Sequence, residues 1–299
     1  MTMLFYNRSQ GKGEFYNIRD NKGNIDLLKS YLGWRKSWTY IVYCFTPSLL
    51  FYDSSSGAAE FYNLDQDGTM HLVSSTTYST GWTHIVQVGV LPDSGFALIL
   101  FYNAMSGDAK FYCTNGAGGI ELRAHTTLSK GWTHIITNAY TPGSYYTVTG
   151  LQEGNYPVLF YNATSGLAQF YKYDILGNMH QLSNTTLSKG WTHIELNFAP
   201  GMRPFNLLFY NANSGDTRGY YLSENWGLSD AGSTTFSKGW TKILLGDLPG
   251  DQGYPARALL FYNGNSGTSQ FYTLVGMGIE IHQVSNTTWA KGWSEILWF

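Results

Sequence analysis

The chain has 299 residues, 17% of them aromatic and 13% charged, with 34 glycines, 8 prolines and a net charge of −2. Many rings, few charges and abundant glycine suit strands joined by tight turns, and exclude a helical bundle, a coiled coil or a disordered chain. Lys and Arg are scattered without a basic stripe, which argues against a nucleic-acid partner, and no apolar run reaches the ~18 residues of a membrane helix, so no membrane insertion is expected.

Read from the N-terminus, the opening MTMLFYN carries neither a charged n-region nor an apolar h-region, so a cytoplasmic or non-classically secreted protein is expected. Phe-Tyr pairs then recur at Phe5, Phe51, Phe101, Phe160, Phe209 and Phe261. A second pair begins ten residues later at Phe15, Phe61, Phe111, Phe170 and Phe271; in the fifth repeat Gly219-Tyr220 stands there instead. Each repeat runs on to a Trp: Trp38, Trp82, Trp132, Trp191, Trp240 and Trp293. The Phe-to-Trp distance is 31 to 33 residues, whereas the Trp-to-next-Phe distance varies from 13 to 28.

Each module reads as an LLFYN-like strand, an AEFYN-like strand, a third strand after a turn such as Asp67-Gly68, and a fourth that starts at the Trp. Four strands in about 50 residues, six times over, predict one all-β domain over residues 1–299: a six-bladed β-propeller. Stacked blades bury both faces of each sheet, which accounts for the adjacent apolar Phe and Tyr. The chain starts inside an LFYN strand and ends on a Trp strand. Closure is therefore expected by one C-terminal strand joining three N-terminal ones, which removes an exposed edge. Cys44 and Cys113 read as two reduced, buried thiols.

The pattern Trp-Thr-His-Ile-Val, then Leu-Leu-Phe-Tyr-Asn with a Ser-Gly turn, Phe-Tyr and a Gly-Asn-Ile-like turn resembles blades of the FG-GAP/VCBS type. Such blades occur in integrin-like propellers and in propeller lectins of the Psathyrella velutina lectin kind. The resemblance implies a lectin with several similar sites. It also implies Asp-rich calcium loops, but residues Val42–Ser48, Val86–Ala97 and Thr137–Pro157 lack an Asp ladder, so no metal is expected there. Asp65 and Asp67 fit a plain hairpin.

Two sets of residues could carry function. The loop before each Trp presents Trp34, Tyr78, Leu128, Leu187, Phe236 and Trp289 at one position, with Lys130, Lys189 and Lys238 among the shared lysines. Rings with short polar neighbours suit glycans, whose apolar faces stack and whose hydroxyls need partners; the alternative is that these side chains plug the gaps between blades. Two residues after each Trp lie Tyr40, His84, His134, His193, Lys242 and Glu295. Turned towards a central channel, they would supply acid–base groups or, through three imidazoles, hold a metal; turned between blades, they would pack and hydrogen-bond. No nucleophile elbow, phosphate loop or dinucleotide fingerprint is present, and no cofactor is expected. The leading expectation is a multivalent lectin. The alternative is a small cofactor-free enzyme of cyclase or lyase type using the channel mouth, framed by long connections such as 133–159. A structural interaction disc is the third reading.

Overall fold

The computed structural model describes residues 1–45, 48–90, 96–137, 157–174, 176–197, 205–223, 225–250, 256–275 and 280–299. It contains 24 strands. The first blade takes β1 (Thr2–Asn7), β2 (Lys12–Ile18) and β3 (Ile25–Leu32). The second is β4 (Tyr40–Tyr43), β5 (Leu49–Tyr52), β6 (Ala58–Leu64) and β7 (Met70–Thr77). The third is β8 (His84–Val90), β9 (Ala97–Tyr102), β10 (Asp108–Thr114) and β11 (Ile120–Thr127). The fourth is β12 (His134–Thr137), β13 (Val158–Tyr161), β14 (Leu167–Tyr173) and β15 (Met179–Thr186). The fifth is β16 (His193–Asn197), β17 (Phe205–Tyr210), β18 (Asp216–Leu222) and β19 (Leu228–Thr235). The sixth is β20 (Lys242–Leu248), β21 (Ala256–Tyr262), β22 (Thr268–Val275) and β23 (Glu280–Thr288). The last strand, β24 (Glu295–Trp298), returns to the first blade, whose order is β24-β1-β2-β3. The protein is thus an all-β, six-bladed propeller closed one strand to three, as the phase of the repeat predicts.

The blades form two compact units of three: the fifth, sixth and first in one, the second, third and fourth in the other. In both units the first strand of a blade's sheet lies beside the first strand of the next blade: β4 by β8, β8 by β12, β16 by β20 and β20 by β24. These are the innermost strands.

Both members of each leading Phe-Tyr pair are buried: Phe5 and Tyr6, Phe51 and Tyr52, Phe101 and Tyr102, Phe160 and Tyr161, Phe209 and Tyr210, Phe261 and Tyr262. Alternation along a strand sends the two rings to opposite faces, and a blade between two others must bury both. The second Phe-Tyr pair is less regular than its sequence suggests. In every blade the register to the outer strand shifts inside that pair, between Phe15 and Tyr16, Phe61 and Tyr62, Phe111 and Tyr112, Phe170 and Tyr171, Gly219 and Tyr220, and Phe271 and Tyr272. This is a bulge with one extra residue on the outer strand. It bends that edge and strengthens its twist, a device that blunts an exposed strand.

Closure is secured by packing as well as by pairing. Met3, Leu4, Phe5 and Tyr6 of β1 lie opposite Trp298, Leu297, Ile296 and Glu295 of β24. The Trp298 indole reaches across to the sixth blade, where a Cβ on Gly246 would come within 2.1 Å of it. It meets Phe271 edge-on at 5.6 Å. Removing residues 291–299 deletes β24 and leaves β1 as an open edge; the truncated protein is expected to show no cooperative melt. The point variant Trp298→Ala keeps the strand and should lower stability by about 3–5 kcal/mol in denaturant titration.

Candidate functional site

The loop before each Trp is pinned by its own backbone. The amides of Trp34, Tyr78, Leu128, Leu187, Phe236 and Trp289 donate to the carbonyls of Gly11, Gly57, Gly107, Gly166, Gly215 and Gly267 at 2.8–2.9 Å. The side chains at this position are half-buried. Trp34 stacks on Tyr31 at 5.5 Å and lies over Gly13, where a Cβ would come within 2.2 Å of the indole. Tyr78 packs near Tyr112, and its hydroxyl accepts the Ile120 amide at 3.3 Å. Phe236 meets Phe261 at 4.9 Å and Tyr272 at 5.5 Å; Trp289 meets Phe5 at 5.1 Å and Phe271 at 5.8 Å. The rings are half-buried wedges that pack against neighbouring rings and backbone. Lys130, Lys189 and Lys238 stand exposed at the same loops.

One loop departs from the repeat in a compensated way. The Asn103 and Asn162 amides donate to the Gly81 and Gly131 carbonyls at 2.9 and 2.8 Å, tying the Ser-Gly turn to the preceding Trp loop. In the second blade Asp53 replaces Asn and cannot donate. Ser37 replaces the loop glycine there, and its hydroxyl bonds to Asp53. Burial alone would raise the Asp53 pKa, but the hydroxyls of Ser55, Ser37 and Ser56 outweigh it and hold the carboxyl well below the usual range.

The residues two places after each Trp begin the innermost strands. In the unit of the second to fourth blades, the Tyr40 hydroxyl donates to the Thr83 carbonyl of the next blade. His84 repeats the move: Nε2 lies 3.2 Å from the Thr133 carbonyl and Nδ1 3.0 Å from Thr83 Oγ1. Burial lowers the His84 pKa; the Thr133 carbonyl works the other way, and nearby His134 adds to the lowering. His134 keeps the local bond, Nδ1 to Thr133 Oγ1 at 2.8 Å, and lies 5.7 Å from the Tyr161 ring. In the other unit, His193 Nε2 is 3.1 Å from the Thr241 carbonyl and Nδ1 is 2.9 Å from Thr192 Oγ1. Lys242 differs: its Nζ meets Glu295 Oε2 of the next blade at 2.9 Å. These side chains therefore clasp one blade to the next. For Tyr40, His84 and His193 the clasp ends on a backbone carbonyl, and for Lys242 it ends on a side chain. Among the described residues no group of three or more His, Cys, Asp or Glu is placed to hold a metal ion. The long connection that could cap the His134 strand, Thr137–Pro157 with Tyr140–Tyr146 inside it, lies outside the described residues but for its two ends.

Sequence reading passed over one residue. Four places after each Trp stand Val42, Val86, Ile136, Glu195, Leu244 and Leu297. Five are aliphatic and one is an acid. Glu195 shares a face of β16 with His193, since side chains two apart point the same way, and the Leu245 amide of β20 donates to its carboxylate. Burial pushes this carboxyl up to about 8, with the Leu245 bond acting against it, although the side chain keeps an intermediate solvent exposure. Aligning this position across the six repeats would have exposed it.

No family model matches the chain, and no curated protein is similar to it. Solved structures do match its fold. A protein from Lactobacillus plantarum aligns with a TM-score of 0.62 at 12% identity, covering 99% of this chain and 98% of that one. A putative 6-phosphogluconolactonase from Bacteroides fragilis aligns at 0.60 and 12%, covering 96% and 80%. The periplasmic gluconolactonase of Pseudomonas aeruginosa aligns at 0.59 and 12%, covering 99% and 98%. The lectin expectation is corrected on two findings. Two of these similar structures are described as lactonases, and Trp34, Tyr78, Phe236 and Trp289 pack half-buried against neighbouring side chains.

Two outcomes test the structural roles assigned here. Trp289→Ala should lower stability by about 3–5 kcal/mol, as core truncation does, whereas a surface platform residue would leave the melt unchanged. The depressed Asp53 carboxyl stabilises the fold above roughly pH 4, its unfolded pKa, and that contribution is lost as pH falls through the lower folded value. Asp53→Asn with Ser37→Gly rebuilds the Asn-to-Gly bond of the other blades and should flatten this acid limb in melts run from pH 6 downwards.

Proposed function

We propose that the protein is a small-molecule enzyme of lactone-hydrolase type, acting on a hydroxylated, sugar-derived lactone at the innermost strands of the fifth, sixth and first blades. The observation that carries this reading is the Lys242–Glu295 pair. Both side chains are about one-third exposed, at 29% and 31%. A Lys ammonium has three donors and a carboxylate about four acceptor sites, so a single bond between them leaves capacity for a ligand. The clasp made by His193 ends on a backbone carbonyl, and it serves to hold β16 against β20.

In this reading the Lys242 ammonium donates to the lactone carbonyl oxygen and stabilises the charge that develops there. Glu295 takes a proton from the attacking water. The hydroxide oxygen bonds to the acyl carbon, the ring C–O bond breaks with its electron pair going to the ring oxygen, and a hydroxy acid results. The fold likeness to gluconolactonases supports the choice of substrate class, and the pairing of a cation with a carboxylate supports the chemistry.

The test is hydrolysis of glucono-δ-lactone, followed by acid release against the spontaneous rate. Wild-type protein should accelerate it with saturation. Lys242→Met and Glu295→Gln should each reduce kcat/KM by about 10²-fold or more, the usual scale for a charge-stabilising or proton-transfer group. A wild-type rate equal to buffer would remove this reading.

A further inference from the structure

Asn-Gly pairs occur twice in the chain, at Asn115-Gly116 and Asn263-Gly264. Glycine has no Cβ to shield its amide nitrogen, so at both places the backbone can attack the preceding side chain. The fold leaves one of these nitrogens open and ties up the other. We propose that Asn115 is a self-modification site: its side-chain amide is lost to attack by the Gly116 nitrogen, and water then sets an acid in the turn between β10 and β11. This goes beyond the lactone-hydrolase reading and does not depend on it.

Three features of the turn carry the inference. Asn115 Oδ1 accepts the Ala117 amide at 3.1 Å and the Gly119 amide at 3.0 Å. Two N–H groups on one carbonyl oxygen stabilise the negative charge that forms there when a nucleophile adds. Among the described residues the Gly116 amide has no hydrogen-bond partner, so its nitrogen is available. Gly116 and Ala117 are exposed, so water can take the nitrogen's proton and later open the ring. Asn263 shares the first feature: its Oδ1 accepts the Asn265 and Ser266 amides at 2.9 and 3.1 Å. It lacks the second, because the Gly264 amide donates to Thr241 Oγ1 at 2.9 Å. One hydrogen bond therefore separates the two sites.

The chemistry needs water alone. The Gly116 nitrogen bonds to Asn115 Cγ and gives its proton to water. The Cγ–Nδ2 bond breaks with its electron pair on Nδ2, which takes a proton and leaves as ammonia. The product is a five-membered succinimide. Water adds to one of its two carbonyls and breaks that carbon's bond to the Gly116 nitrogen. Opening at Cγ gives aspartate. Opening at the backbone carbonyl gives isoaspartate, whose main chain runs through Cγ. In sum, one water is consumed and one ammonia released.

The two products fit the fold differently. Aspartate already fills this position in two other blades. Asp20 Oδ1 accepts the Lys22 and Asn24 amides at 3.0 and 3.1 Å, and Asp174 Oδ1 accepts those of Leu176 and Asn178 at 2.9 Å. The acid form of residue 115 therefore keeps both bonds and strengthens them by its charge. Isoaspartate lengthens the main chain by one atom where Gly118 is seated on the second blade. There Ser74 Oγ donates to the Gly118 carbonyl, and a Cβ on Gly118 would come within 2.5 Å of Val73. A longer turn cannot keep both that seat and the bond from the Asn115 amide to the Gly119 carbonyl. This product loosens the third blade from the second.

The test is timed incubation of the full chain in oxygen-18 water at neutral and mildly alkaline pH, read by peptide mapping with mass spectrometry. The Asn115 peptide should exchange amide for acid and take up the label, faster as pH rises because the Gly116 nitrogen must shed its proton. The Asn263 peptide should change about tenfold more slowly, the rate equivalent of one hydrogen bond that must open first. In urea, where both turns are lost, the two rates should converge. Thr241→Val removes the acceptor of the Gly264 amide and should bring Asn263 up to the Asn115 rate, whereas Thr241→Ser keeps a hydroxyl and should leave it slow. Of the aged material, the aspartate fraction should melt with Asn115→Asp, at or above the wild type, and the isoaspartate fraction below it. Equal rates at Asn115 and Asn263 in the folded wild type would overturn the proposal, and that comparison needs no variant. So would an Asn115 that stays an amide in the folded chain while it changes in urea, or a Thr241→Val protein of wild-type melt in which Asn263 stays slow.

Discussion

The structure hangs on what each leading Phe-Tyr pair does with its tyrosine. The ring is buried, and its hydroxyl must find an acceptor or cost about 1–3 kcal/mol. Tyr102, Tyr161, Tyr210 and Tyr262 donate to Ser129, Ser188, Ser237 and Ala290 at 2.6–2.7 Å, and Tyr52 donates to Ser79. Each acceptor lies in the loop that leads from that blade's outer strand to the next Trp. The same rings then meet the next blade edge-on: Tyr52 on Phe101 at 5.8 Å, Tyr102 on Phe160 at 6.3 Å and Tyr210 on Phe261 at 6.2 Å. One side chain thus fixes a loop by its polar tip and sets blade stacking by its ring, the use of an amphipathic aromatic that a wholly apolar residue could not make. The Phe before it faces the opposite side and receives the preceding blade.

Because that step recurs, a departure elsewhere in the repeat must be answered locally. Asp53 loses the donor that Asn supplies in other blades, and Ser37 restores a hydrogen bond by reversing its direction. The exchange leaves the loop geometry alone and changes only which partner carries the proton. It also turns a neutral tie into one to a charged acceptor, which is roughly twice as strong.

The blade count, the strand order and the closure by β24 were legible because they follow from spacing and alternation, which sequence displays directly. The bulge inside Phe15-Tyr16 and its five counterparts was not, since an extra residue on the outer strand leaves no mark in the inner strand's pattern. The packing of the loop aromatics was not legible for a related reason. Position in the repeat tells that Trp34, Tyr78, Phe236 and Trp289 are equivalent, but χ angles decide whether a ring lies over Gly13 or faces solvent. The six residues after each Trp were located correctly on the innermost strands, yet their clasp depends on a carbonyl supplied by a different blade. Glu195 stands out only when the position four places after each Trp is aligned across the six blades.

Taken together, those two positions divide the two units of three blades. In the second to fourth blades they read Tyr40 and Val42, His84 and Val86, His134 and Ile136. Each pair is one hydrogen-bonding group followed by one β-branched residue, which is what a clasp and a packed wall require. In the fifth, sixth and first blades they read His193 and Glu195, Lys242 and Leu244, Glu295 and Leu297. Lys and both acids fall in this half. Packing gives no reason for that bias, because both halves use the same Tyr-Phe step and the same Trp loops. Burying a carboxyl such as Glu195 opposes stability, whereas the aliphatic residue of the other five blades would add to it. In this chain the fifth blade alone carries an acid at that position, where the pattern of the other five supplies a better-packing residue.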